Sequence, residues 1–387
     1  MTRRQRVAVS VGFLAFGATA GTLVPRLPTI KDQLHLSDGQ VGLTLVAFSL
    51  GAVVGAASSR LVLGRGSRRY VRGAILALTV AVVLPGLAPN LYLLVGSFFL
   101  VGVCSGLIDV LVNAQGAELE RVAGRPLINS FHGFWSLGAV LGSVFASGAA
   151  YLRVAPVVQF AVAGIVIAIM SAPFLRDLPD TSSGAERSSP PGASRLWLTG
   201  VVFAVATITF AAIIVEGGTS DWSALYLREL SHADPGVAAL GFGGFSLAAM
   251  LVRFRADVLT ALTSPVTVMR IGATAAIVGL VLAIALPALP WALIGFALVG
   301  MGCAVQLPLA FAAGANLGRS GTSLAIIFVS AYSGALVSPA LIGFAADRLG
   351  LRVAMGIPLV AAVVVVILAG NISPRSGVAP TPLPTGR

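Results

Sequence analysis

Seven ionisable side chains lie inside long apolar stretches of this sequence, where a charged group is costly and usually has a function. They are Arg26, Asp109, His132, Glu216, Asp221, Arg253 and Asp257. Carboxyl, imidazole and guanidinium groups in such surroundings bind polar solutes, relay protons or pair with one another. We therefore looked first at how the spacing of these residues would bring them together.

Asp109 is followed by an amide one helical turn later, at Asn113, so a helix presents both side chains on one face. His132 comes after a short loop and is expected at a similar depth on the next helix. A carboxylate, an amide and an imidazole at one level predict a polar cluster that binds solute or couples protons. A structural network that pins the two helices together is an equally good interpretation.

Glu216 lies near the middle of an apolar stretch and is followed by Gly217–Gly218. We favour proton exchange as the function of this carboxyl, and the two glycines predict a broken or loosened helix beside it. The alternative is a shallow glutamate that neighbouring hydroxyl groups satisfy. Asp221 is a solute-binding candidate closer to the surface, and Trp222 is expected to be an interfacial belt residue.

Two further segments contain candidate gates. Arg253 and Asp257 are spaced as an i,i+4 pair at the end of one apolar stretch, which predicts a gate or a helix-end ion pair. The short basic loop after an earlier stretch contains Arg68 and Arg69. Both segments are expected on the same side of a membrane.

Arg26 and Gln306 complete the set of candidate binding residues. Arg26 lies between two prolines at the end of an apolar stretch, where it either holds an anionic solute group or extends to the lipid headgroups. Gln306 is a hydrogen-bond candidate for a cavity, and Pro308 beside it predicts a mobile kink.

Composition restricts the class of protein. Of the 387 residues, 57% are hydrophobic and only 10% are charged, and the mean hydropathy is +0.96. These values exclude a water-soluble globule and a disordered chain, and two cysteines exclude a disulfide scaffold. We expect no nucleic-acid partner despite the net charge of +11, because no basic run has interleaved aromatics. No nucleotide-binding, metal-binding or nucleophile motif is present, so neither an enzyme nor a cofactor is predicted.

The apolar stretches predict twelve membrane spans, each about 20 residues or longer. They cover residues 7–30, 39–63, 71–88, 90–116, 127–151, 154–175, 197–226, 236–257, 267–286, 289–317, 323–346 and 352–370. A polar stretch rich in Pro and Ser separates two groups of six. We therefore expect bundles at 1–175 and 197–370, a cytoplasmic linker at 176–196 and a disordered cytoplasmic tail at 371–387.

Charge distribution predicts the orientation of the spans. If they alternate from a cytoplasmic N-terminus, most of the 25 Lys and Arg residues fall on the cytoplasmic side. The positive-inside rule then predicts a multi-pass protein of the inner (cytoplasmic) membrane with both termini in the cytoplasm.

An internal repeat relates the two groups of spans. Phe48–Ala52 aligns with Phe245–Ala249, Leu100–Gly102 with Leu298–Gly300, and Gly138–Ala139 with Gly334–Ala335, all at nearly the same offset. A parallel repeat of six spans predicts an all-α membrane protein, with two six-helix halves related by a pseudo-twofold axis and a site between them.

The sequence resembles the major facilitator superfamily, near its fucose-permease-like and related sugar or drug permeases. Three segments support the resemblance: Gly106–Gly138, Arg26–Lys31 and Glu216–Ser223. It implies a proton-coupled secondary transporter that works by alternating access, most simply as a monomer. Fucose-type symporters use acids on helices 1 and 4. Here helix 1 has no buried acid, so Asp109 and Glu216 are the coupling candidates.

The expected substrate is a sugar or a sugar-like polar metabolite, because the candidate residues are polar. Proton-driven efflux of a drug-like compound is the alternative, favoured by the apolar, small-residue character of the spans and an aromatic content of only 7%. A membrane sensor that transports nothing is a third interpretation, but the sequence has no soluble signalling domain to support it.

Overall fold

The computed structural model describes residues 2–62, 67–179, 200–317 and 322–372. Within these ranges the chain forms eleven helices long and apolar enough to cross a membrane, and one shorter apolar helix, α6. The bounds are α1 Arg3–Leu34, α2 Asp38–Leu61, α3 Arg68–Leu87, α4 Leu91–Ala123, α5 Ile128–Tyr151, α6 Pro156–Ser171, α7 Gly200–Glu229, α8 Pro235–Arg253, α9 Pro265–Ala285, α10 Leu289–Asn316, α11 Ser323–Leu349 and α12 Leu351–Ile372. The predicted twelve-helix fold is confirmed.

Some predictions fall outside the described residues. Most of the predicted linker, from residue 180 onward, and the predicted tail from residue 373 belong to this group. So do residues 63–66 of the basic loop and the side chain of Asp257.

Local sequence sets the helix ends. Ser37 begins α2 with a capping box, in which its hydroxyl accepts from the Gln40 N–H and the Gln40 side chain accepts from the Ser37 N–H. The Asn90 side chain caps α4 in the same way by accepting from the Leu93 N–H. Gly124 ends α4 in the left-handed conformation, with φ of 64°.

The predicted repeat appears as the same helix contacts in both halves. A Cβ atom on Gly102 of α4 would lie 2.1 Å from the Phe48 carbonyl oxygen of α2. At the equivalent crossing of α10 with α8, a Cβ atom on Gly300 would lie 2.2 Å from the Phe245 oxygen. These backbones approach so closely that only glycine fits, as is usual where membrane helices pack through small residues.

Of two predicted helix irregularities, the structure lacks one and contains the other. α7 runs unbroken through Gly217–Gly218, so the break predicted there is wrong. Gly218 has a packing role instead, because its Cβ would lie 2.7 Å from the Ile342 side chain of α11. α10 is interrupted at Ala304 and Val305, just before Gln306 and Pro308. Because proline lacks an N–H and clashes with the preceding turn, this break agrees with the predicted kink.

Candidate functional site

An ion pair between α7 and α8 lies at the centre of the candidate site. Arg253 Nη2 donates to Glu216 Oε1 at 2.8 Å, and both side chains are largely buried. Arg253 Nη1 also donates to Ser136 Oγ of α5 at 2.7 Å, and the guanidinium carbon lies 5.8 Å from the ring centre of Trp135. One arginine of the second half therefore bonds to a carboxylate in its own half and to a hydroxyl in the first half.

This pairing was not predicted from the sequence, and the side chain of Asp257, the expected partner of Arg253, lies outside the described residues. The expected helix-end pair with Asp257 required one continuous helix, but α8 ends at Arg253 and a separate helix, Ala256–Leu262, follows. The guanidinium instead points to Glu216 and Ser136. The same contact excludes the alternative of a shallow Glu216 satisfied by its neighbours.

Asp109 and Asn113 form the second polar pair, on α4. Asn113 Nδ2 donates to both Asp109 Oδ1 and the Asp109 carbonyl oxygen, each at 2.9 Å. Tyr332 of α11, in the other half, lies within electrostatic range of Asp109. Among the described residues no hydrogen bond joins His132 to this pair. The His132 ring packs edge-on against Phe13 at 5.2 Å, so the expected three-residue cluster consists of two members.

Within the ranges that the structure describes, no hydrogen bond joins the other predicted binding residues, Asp221 and Gln306, to each other. Asp221 is half-buried on α7, 3.3 Å from Ser220 Oγ and within electrostatic range of Glu216. Gln306 is wholly buried, and its amide donates to the Gly302 carbonyl oxygen beside the break in α10. This hydrogen bond joins the two parts of α10 on either side of its break. Trp222 is fully buried, so its prediction as an interfacial residue is wrong.

The basic residues of the predicted gate contact their own half. Arg68 Nε donates to the Leu178 carbonyl oxygen, just after α6, at 2.7 Å. Arg69 lies over the ring of its neighbour Tyr70, 4.8 Å from the centroid. In the part of the chain that the structure describes, neither arginine bonds to the second half, and their gating role stays a prediction.

Arg26 does not extend to a lipid surface. Its side chain is only 2% exposed, and Nη2 donates to the Val154 carbonyl oxygen, after α5, at 2.8 Å. Burial excludes the headgroup interpretation and leaves the anion-binding one.

Ion pairs that cross between the halves were not predicted from the sequence. Lys31 at the end of α1 bonds to Asp38 and to Glu229 at the end of α7. Arg228 lies 3.6 Å from Asp32, and Ser37 Oγ donates to Asp347 of α11 at 3.0 Å. We call this end of the molecule, defined by Lys31, Asp32, Arg228 and Glu229, the bridged end.

A sequence signal for these pairs exists in the repeat itself. A basic residue, an acid and, three residues later, a histidine occur in both halves. They are Lys31, Asp32 and His35 in the first half and Arg228, Glu229 and His232 in the second, at the offset that relates Phe48 to Phe245. Both histidines adopt φ of 51° in the structure. The bridge is therefore reciprocal, since the basic residue of each half contacts the acid of the other.

The described residues hold no group of three or more potential metal ligands. Twelve apolar helices in two repeated halves, with ion pairs at the centre and at one end, define a multi-pass membrane transporter. A model of the Major Facilitator Superfamily matches residues 9–334, and the chain belongs to that superfamily.

Relatives and solved structures agree with this assignment. The chain is 35% identical over 365 residues to the uncharacterized transporter y4wD of Sinorhizobium fredii. The alignment covers 93% of this chain and 96% of that protein. A variant of the nucleoside transporter NupG aligns with a TM-score of 0.72 at 14% identity, over 95% of this chain and 98% of that one. FucP in its outward conformation aligns with a TM-score of 0.67 at 17% identity, over 95% of this chain and 98% of that one. The protein is a transporter and not an enzyme.

Proposed function

We propose that the protein moves a small polar, sugar-like solute across the cytoplasmic membrane by alternating access coupled to protons. The observation that supports this most is the position of Arg253, which bonds to Glu216 in one half and to Ser136 in the other. A proton on Glu216 removes the charge that holds the guanidinium. The same event therefore changes the link between the halves and frees a strong donor for a solute.

Asp109 is the second coupling carboxyl in this proposal. It belongs to the first half and lies within electrostatic range of Tyr332 in the second half. The proposed site thus has one carboxyl in each half, and Arg253 connects the Glu216 carboxylate to the Ser136 hydroxyl of the first half. Asn113 and Asp221 supply further polar groups near these carboxyls. The fold similarity to NupG, a nucleoside transporter, fits a solute that contains a sugar.

The orientation and assembly are also proposals. With the termini in the cytoplasm, the bridged end faces away from the cytoplasm, and the structure corresponds to a state in which that side is joined by Lys31–Glu229 and Arg228–Asp32. Both halves of the proposed path come from one chain, which fits a working monomer.

The direct test is proton movement in proteoliposomes containing a pH-sensitive dye. A panel of sugars, nucleosides, organic acids and antibiotics is added, and a solute that moves protons identifies substrate class and coupling together. Glu216→Gln and Asp109→Asn are expected to abolish the proton signal. Glu118→Gln is the matched control, because it alters a carboxyl whose described ion pair is with Arg121 on the same helix. A proton signal that persists unchanged in the first two variants would remove the coupling assignment, and an antibiotic response would favour efflux.

A further inference from the structure

Arg26 is a buried cation whose donors are mostly unused. Its side chain is 2% exposed, and one bond, from Nη2 to the Val154 carbonyl oxygen, is present. Nε and Nη1 are buried without a hydrogen-bond partner among the described residues. Arg253 differs, since both of its terminal nitrogens have partners.

A purely structural role explains Arg26 poorly. One carbonyl oxygen requires one donor, which a neutral side chain supplies without burying a charge. Buried donors without partners and buried charges without counterions both destabilise the folded state. Three acids of the bridged end and its surroundings are already engaged, Asp38 and Glu229 with Lys31 and Asp32 with Arg228. The donors of Arg26 are therefore available for a group that the described chain does not itself provide.

The position of Arg26 connects it to the bridged end. It lies five residues before Lys31, in the short turn Val24–Arg26 that interrupts α1. This turn packs against α7 and α8 of the second half as well as against α5. Separation of the halves at the bridged end would therefore remove part of the packing around the turn that contains Arg26.

We propose that Arg26 binds the anionic group of a solute, a carboxylate, phosphate or sulfate, when the bridged end opens. A guanidinium has five N–H groups on two bidentate edges. Nη2 has one hydrogen on the edge that it shares with Nε and one on the edge that it shares with Nη1. Whichever of the two bonds to Val154, the other edge keeps two free donors in the geometry that matches a carboxylate or phosphate. This inference rests on the proposed alternating access and narrows its solute to an acidic one, such as a sugar acid.

The only lysine of the chain provides the readout. Lys31 belongs to the bridge, so its reaction with a membrane-impermeant N-hydroxysuccinimide ester measures how often that end opens. Labelling of the Lys31 peptide is followed by mass spectrometry in purified protein, with glucuronate, phosphate and sulfate compared against chloride at constant ionic strength. Glucose is the neutral counterpart of glucuronate.

We expect at least one anion to raise the labelling rate saturably, by roughly tenfold at ten times its dissociation constant, because it binds only the open state. Glucose is expected to have no effect. Arg26→Gln is expected to abolish the anion effect and to lower basal labelling, since the buried unpaired charge that disfavours the bridged state is removed. Arg26→Lys keeps the charge without the bidentate edge and is expected to lose most of the effect.

Arg153→Gln is the matched control. It removes an exposed arginine next to Val154 and is expected to leave the anion effect intact. An anion effect that persists in Arg26→Gln would overturn the inference. So would the absence of an anion effect in the wild type, if Glu229→Gln raises labelling and so shows that the assay detects opening. Glu216→Gln separates the two proposals, because it is expected to lose proton coupling and to keep the anion response.

Discussion

The two halves repeat one backbone arrangement but differ in how tightly two of its helix crossings are packed. At Gly138 of α5 a Cβ atom would lie 2.1 Å from the Leu14 oxygen of α1, whereas at the equivalent Gly334 of α11 it would lie 2.8 Å from the Phe210 oxygen. Along the α2–α4 crossing the first half has four such glycines, and the equivalent positions in the second half keep one. The four are Gly51, Gly55, Gly102 and Gly106, and their counterparts are Ala248, Val252, Gly300 and Ala304.

The two halves also differ in the hydrogen bonds that their candidate carboxyl groups make. In the first half, Asp109 bonds to a residue of its own helix. In the second half, Glu216 bonds across two helices to Arg253, near a broken α10. At these two crossings the first half is the more closely packed, and the ion pair that joins two helices lies in the second half.

The largest effect that tests this difference is expected at Arg253. Arg253→Met leaves Glu216 buried without its partner, and we expect the free energy of unfolding to fall by about 3–5 kcal/mol. Detergent-purified protein in an SDS unfolding titration provides the measurement. The double variant Arg253→Met/Glu216→Gln is expected to recover most of the loss, because no buried charge remains. Equal losses in the single and double variants would contradict the ion-pair explanation.

The next largest effect is expected at the glycines of the α1–α5 crossing and of its equivalent, the α7–α11 crossing. Gly138→Ala must push two backbones apart and is expected to cost about 3 kcal/mol, at the upper end for overpacking. Gly334→Ala has more clearance and is expected to cost about 1 kcal/mol. The same titration compares the two variants, and equal costs would mean that the two equivalent crossings are equally tight.

A smaller effect on stability is expected at Asp109. Asp109→Asn keeps an oxygen that accepts from Asn113, so the free energy of unfolding should change by less than about 1 kcal/mol. This variant should still lose proton coupling in the flux assay. A stability loss as large as that of Arg253→Met would mean that Asp109 has a structural partner of comparable importance.

The smallest stability effect is expected at the bridged end. Glu229→Gln and Asp32→Asn each remove one partly exposed ion pair and should cost less than about 1 kcal/mol. Lys31 labelling should nevertheless rise in both variants, more in Glu229→Gln because that carboxylate contacts Lys31 directly. Added salt should raise labelling in the wild type and have less effect in the variants, since it screens the same pairs.

Much of the fold could be predicted because membrane spans follow from local composition. Twelve apolar stretches and one repeated offset were enough to predict the helices and the two halves, and Gly102 and Gly300 confirm the repeat as an equivalent contact. The candidate functional residues were recognisable by type, since Glu216, Arg253 and Asp109 are charged residues in apolar surroundings.

The partners of those residues could not be read from sequence. The i,i+4 spacing of Arg253 and Asp257 favoured a pair within one helix, but the helix ends between them, and α7 supplies the carboxylate instead. Arg26 and Trp222 lie near the ends of spans, where a single helix would place them at the lipid surface. Packing between helices buries both, and hydropathy along one helix contains no information about that packing.

The reciprocal bridge has a consequence for the origin of the chain. Lys31 contacts Glu229 while Arg228 lies near Asp32, so residue i of one half meets residue j of the other, and j meets i. Such isologous contacts characterise a homodimer with a twofold axis. A six-helix ancestor with one basic–acidic dipeptide at the end of its first helix would have formed both pairs with a second copy of itself. Gene duplication and fusion would then have preserved within one polypeptide an interface that first evolved between two.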